Sequence, residues 1–166
     1  MTKNNEINTI ILSAGKFNPK NISAGMITDV GLLPIRSKPA INWCIDSAIK
    51  NGADKIKIVL RENNTRLSKF LGYSYPNVQQ YFIESNSDIS ASIINLLDSC
   101  DEKLPTQIIF GDTLIDEPFP EESDVFLSSP NIKASKQWCL VSKNSKGYLD
   151  RIYNKERDIS IADKEA

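Results

Sequence analysis

The chain contains no histidine. That absence removes the imidazole general base, the Ser-His and Cys-His nucleophile pairs and every His-ligated metal. Any chemistry here must run on carboxylates, lysines, hydroxyls, backbone amides or a bound metal. Cysteine is scarce as well: Cys44, Cys100 and Cys139 are odd in number and widely spaced. They form neither a disulfide framework nor a zinc pattern, and read as reduced thiols of a cytoplasmic protein. No apolar run approaches the roughly 20 residues that span a bilayer, so no membrane partner is expected. Residues 1–6 are too short and polar a lead for a signal peptide. A net charge of −1 gives no electrostatic footprint for nucleic acid. The lysines at 133, 136, 143 and 146 read as a solvated face, because no aromatic residues interleave them. Trp43 and Trp138 read as core or hairpin packing rather than stacking platforms.

What is present fits one domain with a sizeable core: 166 residues, 40% hydrophobic and 25% charged. Apolar strands alternate with helical patterns. Ile7–Leu12 predicts a buried strand, followed by a loop to about Ser37. Residues 39–51 predict a helix, with Pro39 in its first turn, Ile41, Cys44, Ile45, Ala48 and Ile49 at helical spacing, and Gly52 as its stop. Residues 55–60 alternate as a half-buried strand. Residues 63–71 predict a short helix ended by Gly72, residues 78–83 a strand, and residues 87–99 a helix capped by Ser87 or Asp88. Thr106–Phe110 predicts a strand, 124–128 another, and 137–141 with 149–153 a late hairpin. The charged stretch 156–166 is expected to fray as a tail behind a 1–155 domain. Strands separated by helices of this length imply right-handed crossovers and a mainly parallel mixed sheet.

Three short motifs carry chemistry. Leu12-Ser13-Ala14-Gly15-Lys16 ends the first strand in small residues, where backbone amides can approach phosphates closely. Gly31-Leu32-Leu33-Pro34-Ile35-Arg36-Ser37-Lys38-Pro39 then leads into the first helix. Gly111-Asp112 places a carboxylate at the end of a strand, suited to holding Mg²⁺ against phosphate oxygens. Each alone has a plain alternative: an ordinary glycine turn, core leucines before a helix, a turn-forming aspartate.

Together, at this spacing, they resemble the N-terminal half of the sugar-phosphate nucleotidyltransferases, whose pattern runs L-A-A-G-x-G-T-R, then P-K-x-L-L-P-I-x-x-K-P, then G-D. The resemblance implies a three-layer, Rossmann-like (GT-A-like) α/β fold. It implies Mg²⁺-dependent transfer of NMP from an NTP to a sugar phosphate or similar small phosphate, with pyrophosphate released, in nucleotide-sugar or surface-polysaccharide synthesis. Leu12, Ser13, Ala14, Gly15 and Gly111 would then cradle the nucleotide, and Asp112 would hold the metal. Lys16 or Lys20 would neutralise phosphate charge in place of the family's arginine. Glu84 stands where the family reads the base, with Ser90 in the same segment. An ionised glutamate only accepts hydrogen bonds and would favour an exocyclic amine. Lys155 lies near the element that contacts the sugar phosphate.

The chain departs from that pattern at informative places. Phe17-Asn18-Pro19-Lys20 replaces G-T-R, Val30 occupies the position of a phosphate-binding lysine, and Asn154 stands where E-K has its glutamate. The family also carries a longer domain that supplies a second carboxylate and oligomer contacts. A homo-oligomer or a completing partner domain is therefore an open expectation. The alternative reading is a non-catalytic nucleotide-binding or partner-docking domain of the same fold. A glycosyltransferase reading is weakened by the lack of a D-x-D pair, since the next carboxylate after Asp112 is Asp116.

Overall fold

In a computed structural model, the described residues are 6–15, 29–84, 89–114, 139–154 and 164–165. They belong to two units, Met1–Phe119 and Pro120–Ala166. In the first, Ile7–Leu12 forms β1. Pro34–Ile35 (β2) and Lys38–Pro39 (β3) make a small hairpin, and Ala40–Lys50 is helix α1. Ala53–Arg61 (β4), Thr65–Ser74 (α2), Gln79–Ile83 (β5), Ile89–Leu97 (α3) and Thr106–Phe110 (β6) follow. The sheet order is β5-β4-β1-β6, and all three pairings are parallel. This is the α/β fold expected from the alternation of strands and helices.

The pleat sorts the core. Ile11 on β1, Ile58 and Leu60 on β4 and Ile109 on β6 meet Ile41, Cys44, Ile45 and Ala48 of α1 and Leu67 and Leu71 of α2. Ile10, Leu12 and Ala14, with Val59 and Ile83, face the other way and pack against Leu96 and Ile93 of α3. Helices thus cover both faces of the sheet, and alternate residues of β1 and β4 serve different layers. Each such Ile or Leu, fully buried, contributes about 2 kcal/mol.

Several local expectations are corrected by this packing. Residues 55–60 do not alternate between core and solvent, because α3 covers the second face. Lys57 is only 6% exposed; its ammonium donates to Ser99 O at 2.7 Å and Ser99 Oγ at 2.8 Å, and lies 3.4 Å from Cys100 Sγ. A cation at the end of α3 is matched by the carbonyl-rich terminus of a helix. Ile49 falls outside the apolar stripe of α1 and is exposed. Gly72 lies within α2 rather than ending it. Gly52 does stop α1, at φ +92°. The caps expected at Ser87 or Asp88, and a strand at 124–128, lie outside the described residues.

The Leu33–Pro39 stretch turns out to be largely architectural. Ile35 pairs with Lys38, so Arg36-Ser37 is a two-residue hairpin loop. Both residues have positive φ, 47° and 73°, as such a loop requires to match strand twist. Neither is glycine, asparagine or aspartate, so the turn carries strain. Trp43 Nε1 donates to Ile35 O at 3.0 Å, and Lys38 Nζ sits 3.8 Å from the Trp43 ring centroid while pairing with Asp46. Trp43 is packing, as expected.

In the second unit, Cys139–Lys143 (β7) pairs antiparallel with Leu149–Asn154 (β8), the expected late hairpin. Lys164–Glu165 (β9), inside the stretch expected to fray, pairs with β7 on its other edge. Among the described residues, no helix is long and apolar enough to cross a membrane.

The strained loop is testable: Arg36→Asn with Ser37→Gly should raise the unfolding free energy by about 1 kcal/mol. Urea unfolding reads this directly. An unchanged or lower midpoint would show that the turn is not strained.

Candidate functional site

Within the four-stranded sheet, the next strand after β1 is its neighbour on one side, β4, while its neighbour on the other side, β6, comes last. The connections leave in opposite directions between β1 and β6, and such a switch point opens a crevice beyond the strands' carboxyl ends. The two short motifs sit there. Leu12 pairs with Phe110 in register, so both strands end together. Gly111 N–H donates to Leu12 O at 2.9 Å, joining the Ser13-Ala14-Gly15 loop to the Gly111-Asp112 turn.

The contact is too tight for any residue but glycine. A Cβ at Gly111 would lie 2.9 Å from Ser13 Cβ and 3.2 Å from Leu12 O, one a neighbouring side chain and the other backbone. A Cβ at Gly31 would lie 3.1 Å from Leu67 Cδ2 and 3.4 Å from Ser13 Oγ. Ser13 is therefore enclosed by glycines from two other motifs, which brings the three sequence motifs together in space.

Cys44, on α1, lies beneath the turn. Its Sγ is 3.5 Å from both Gly111 O and Thr113 O. Burial, and then the negative charge of Asp112, push its thiol up to about 11. At neutral pH it is a protonated packing group that supports the turn, not a nucleophile. Asp112 itself is exposed and accepts a long hydrogen bond, 3.4 Å, from Thr113 Oγ1.

Leu12 and Ala14 are buried, so what they offer to a ligand is backbone, whereas Gly15 is exposed. Glu84 follows β5 and is exposed. Ser90 lies in the first turn of α3. Lys16, Lys20 and Lys155 lie outside the described residues. Val30 begins a short 3₁₀ turn, Val30–Leu32, and is half-buried. No group of three His, Cys, Asp or Glu side chains that could hold a metal occurs among the described residues.

Two residues that hold the Ser13–Gly15 loop from the β4 side carry no motif and were not anticipated. Arg61, the last residue of β4, donates from Nε to Ala14 O at 2.6 Å and from Nη1 to Glu84 O at 3.1 Å. Asn64 Nδ2 reaches Ser13 O at 3.4 Å. The only signal in the sequence was position: a polar cluster, Arg61-Glu62-Asn63-Asn64, at the carboxyl end of a strand.

Solved structures share this arrangement of strands. HddC from Yersinia pseudotuberculosis, solved with GMP-PN, matches over 95% of this chain and 71% of its own, with a TM-score of 0.66 and 16% identity. The inositol-1-phosphate CTP transferase from T. maritima matches over 97% and 67%, at 0.63 and 16% identity. The chain has the nucleotidyltransferase fold. The CTP:phosphocholine cytidylyltransferase LicC from Streptococcus pneumoniae also matches, over 74% of this chain, with a TM-score of 0.53 and 18% identity. This nucleotidyltransferase-like chain spans about half the length of LicC and of other solved structures that it matches. No sequence-family model and no curated protein sequence matches it.

Two measurements check the geometry. Gly111→Ala should lower unfolding free energy by about 2 kcal/mol, because the clash involves backbone. Gly15→Ala, whose Cβ meets nothing within 4 Å, should change it by less than about 0.5 kcal/mol. Equal effects would remove the close approach as a constraint. Native Cys44 should resist alkylation at pH 8 and react readily in urea, as followed by peptide mass mapping.

Proposed function

We propose that the chain binds an NTP in the crevice between β1 and β6 and, with Mg²⁺, transfers NMP to a sugar phosphate or similar small phosphate. The observation that carries this reading is the hydrogen-bonded junction of the Ser13–Gly15 loop with the Gly111-Asp112 turn at the switch point of the sheet. A small-residue loop for phosphates and a carboxylate for their counter-ion meet there. The similar folds named for CTP transfer to inositol-1-phosphate and to phosphocholine support this class of chemistry.

The residues divide the work by their chemistry. Backbone amides of the loop approach the triphosphate, and Lys16 or Lys20 supplies point charges. Glu84 accepts from an exocyclic amine of the base, and Lys155 meets the acceptor's phosphate. Asp112 fits a metal ligand: it is exposed and follows the carboxyl end of β6. As a single carboxylate it would share the ion with nucleotide oxygens. Bound Mg²⁺ would neutralise phosphate charge. The acceptor phosphate is already ionised at neutral pH, so the protein's task is alignment for in-line attack on the α-phosphorus and stabilisation of departing pyrophosphate. No histidine is needed. We place the protein in the cytoplasm, where NTPs are made, with nucleotide-sugar or surface-polysaccharide synthesis as its setting.

A second reading is favoured by Val30. Where the resembled pattern has a phosphate-binding lysine, this chain has a half-buried valine. A domain that binds nucleotide without turning it over, or that completes its site with a partner or a second copy, follows from that substitution.

Calorimetry with CTP, UTP, dTTP, GTP and ATP, with and without Mg²⁺, should find one NTP bound in a Mg²⁺-dependent way. Asp112→Asn should weaken that binding about tenfold or more while leaving the unfolding midpoint unchanged, because the side chain is exposed. Pyrophosphate release on adding a sugar phosphate marks the first reading, and binding without release the second. No binding at millimolar NTP, or an Asp112→Asn variant that binds like wild type, would sink the nucleotide site or the metal assignment respectively.

A further inference from the structure

Arg61 lies at the end of β4, on the side of β1 opposite to β6. The carbonyls that follow β1 reveal how it acts. In an extended strand, successive carbonyls point to alternate sides. Leu12 O obeys this, pointing toward β6, where it accepts from Gly111 N–H. Ser13 points toward β4: its N–H donates to Val59 O at 2.9 Å, and its carbonyl accepts from Asn64 Nδ2. Ala14 O should then return to the β6 side. Instead it is held on the β4 side by Arg61 Nε, at 2.6 Å. Two successive carbonyls face β4.

The consequence follows from peptide geometry. In a planar trans peptide, the C=O and the next residue's N–H point in opposite directions, and no described peptide is cis. The N–H groups of Ala14 and Gly15 are therefore both turned away from β4, toward the side on which Asp112 lies. Successive amides on one side make a nest for an anion. Gly15 is exposed, so the nest opens to solvent. Its neighbour Lys16 adds positive charge in sequence.

We infer that Arg61 is a positioning residue for the nucleotide: by holding Ala14 O, it turns the Ala14 and Gly15 amides into an anion nest for the phosphates. Its second bond, from Nη1 to Glu84 O at 3.1 Å, fixes the start of the base-reading segment to the same guanidinium. The Ile83 carbonyl is held alongside, accepting from Glu62 N–H at 3.1 Å. One planar side chain thereby sets the distance between the phosphate loop and the segment that meets the base. Lysine is a poor replacement, because its donors all sit on one nitrogen, whereas the guanidinium reaches the two carbonyls from two separate nitrogens in a rigid plane. The inference rests on the reading of this loop as a nucleotide cradle.

The test is calorimetric titration of wild type, Arg61→Ala and Arg61→Lys with the five NTPs and Mg²⁺, beside amide ¹⁵N spectra of the apo proteins. Arg61→Ala should bind the preferred NTP about tenfold or more weakly and shift the Ala14, Gly15 and Glu84 amides before any ligand is added. Millimolar guanidinium should restore part of the affinity, which a role confined to stability would not allow. If Arg61→Ala fails to fold, Arg61→Lys carries the test, with affinity about threefold or more below wild type. A folded variant that binds like a binding-competent wild type would overturn the inference and leave the nucleotide site standing. A wild type that binds no NTP would overturn the nucleotide reading itself, and this role with it.

Discussion

The candidate site depends on the closeness of β1 and β6 just past their last residues. Gly111 N–H reaches Leu12 O there, and a Cβ on Gly111 would overlap Ser13. That contact lets a loop from the start of the chain and a turn from about a hundred residues later share one crevice. It also explains why the turn is supported from below by Cys44, a small side chain whose thiol fits under two carbonyls. A larger residue there would lift the Asp112 turn away from the Ser13 loop, since protein interiors hold few voids to absorb the change.

Two positively charged side chains of β4 do unusual work. Lys57 runs into the layer between the sheet and α3, where Ser99 O, Ser99 Oγ and Cys100 Sγ take its three protons. Arg61, at the same strand's exit, ties two loops to one another. The first holds a helix to the sheet, and the second joins the Ser13–Gly15 loop to the residue that follows β5. In both cases the charge is met by neutral acceptors, a carbonyl, a hydroxyl and a thiol for Lys57 and two carbonyls for Arg61.

The long central signature deserves a different interpretation from the one its length suggests. Its leucines, its prolines and its lysine serve the turn and hairpin that launch α1, with Trp43 and Asp46 holding Lys38. Its contribution at the crevice is Gly31, which closes on Ser13. In this chain the signature is architectural, and Val30, which opens its 3₁₀ turn, is uncharged and half-buried.

The order of the main strands and helices of the first unit, the parallel character of its sheet and the small-residue turns at the ends of β1 and β6 were legible in the residues themselves. These features depend on local periodicity, on proline and glycine, and on apolar runs, which act over a few neighbours. The short strands β2, β3 and β9 were not legible. The burial of Lys57 was not legible, because it depends on α3 crossing the second face of the sheet. Nor was the strain at Arg36-Ser37, which comes from the register of β2 against β3. Arg61 carries no motif at all. Its role arises because parallel strand order sets β4 and β6 on opposite sides of β1, so that a side chain on one side can turn amides toward the other. Sequence by itself determined which main elements form and which short segments could meet a phosphate. Tertiary structure decided which of those segments touch and which way their backbone groups point, because hydrogen bonds between residues far apart in the chain exist only once the sheet has assembled.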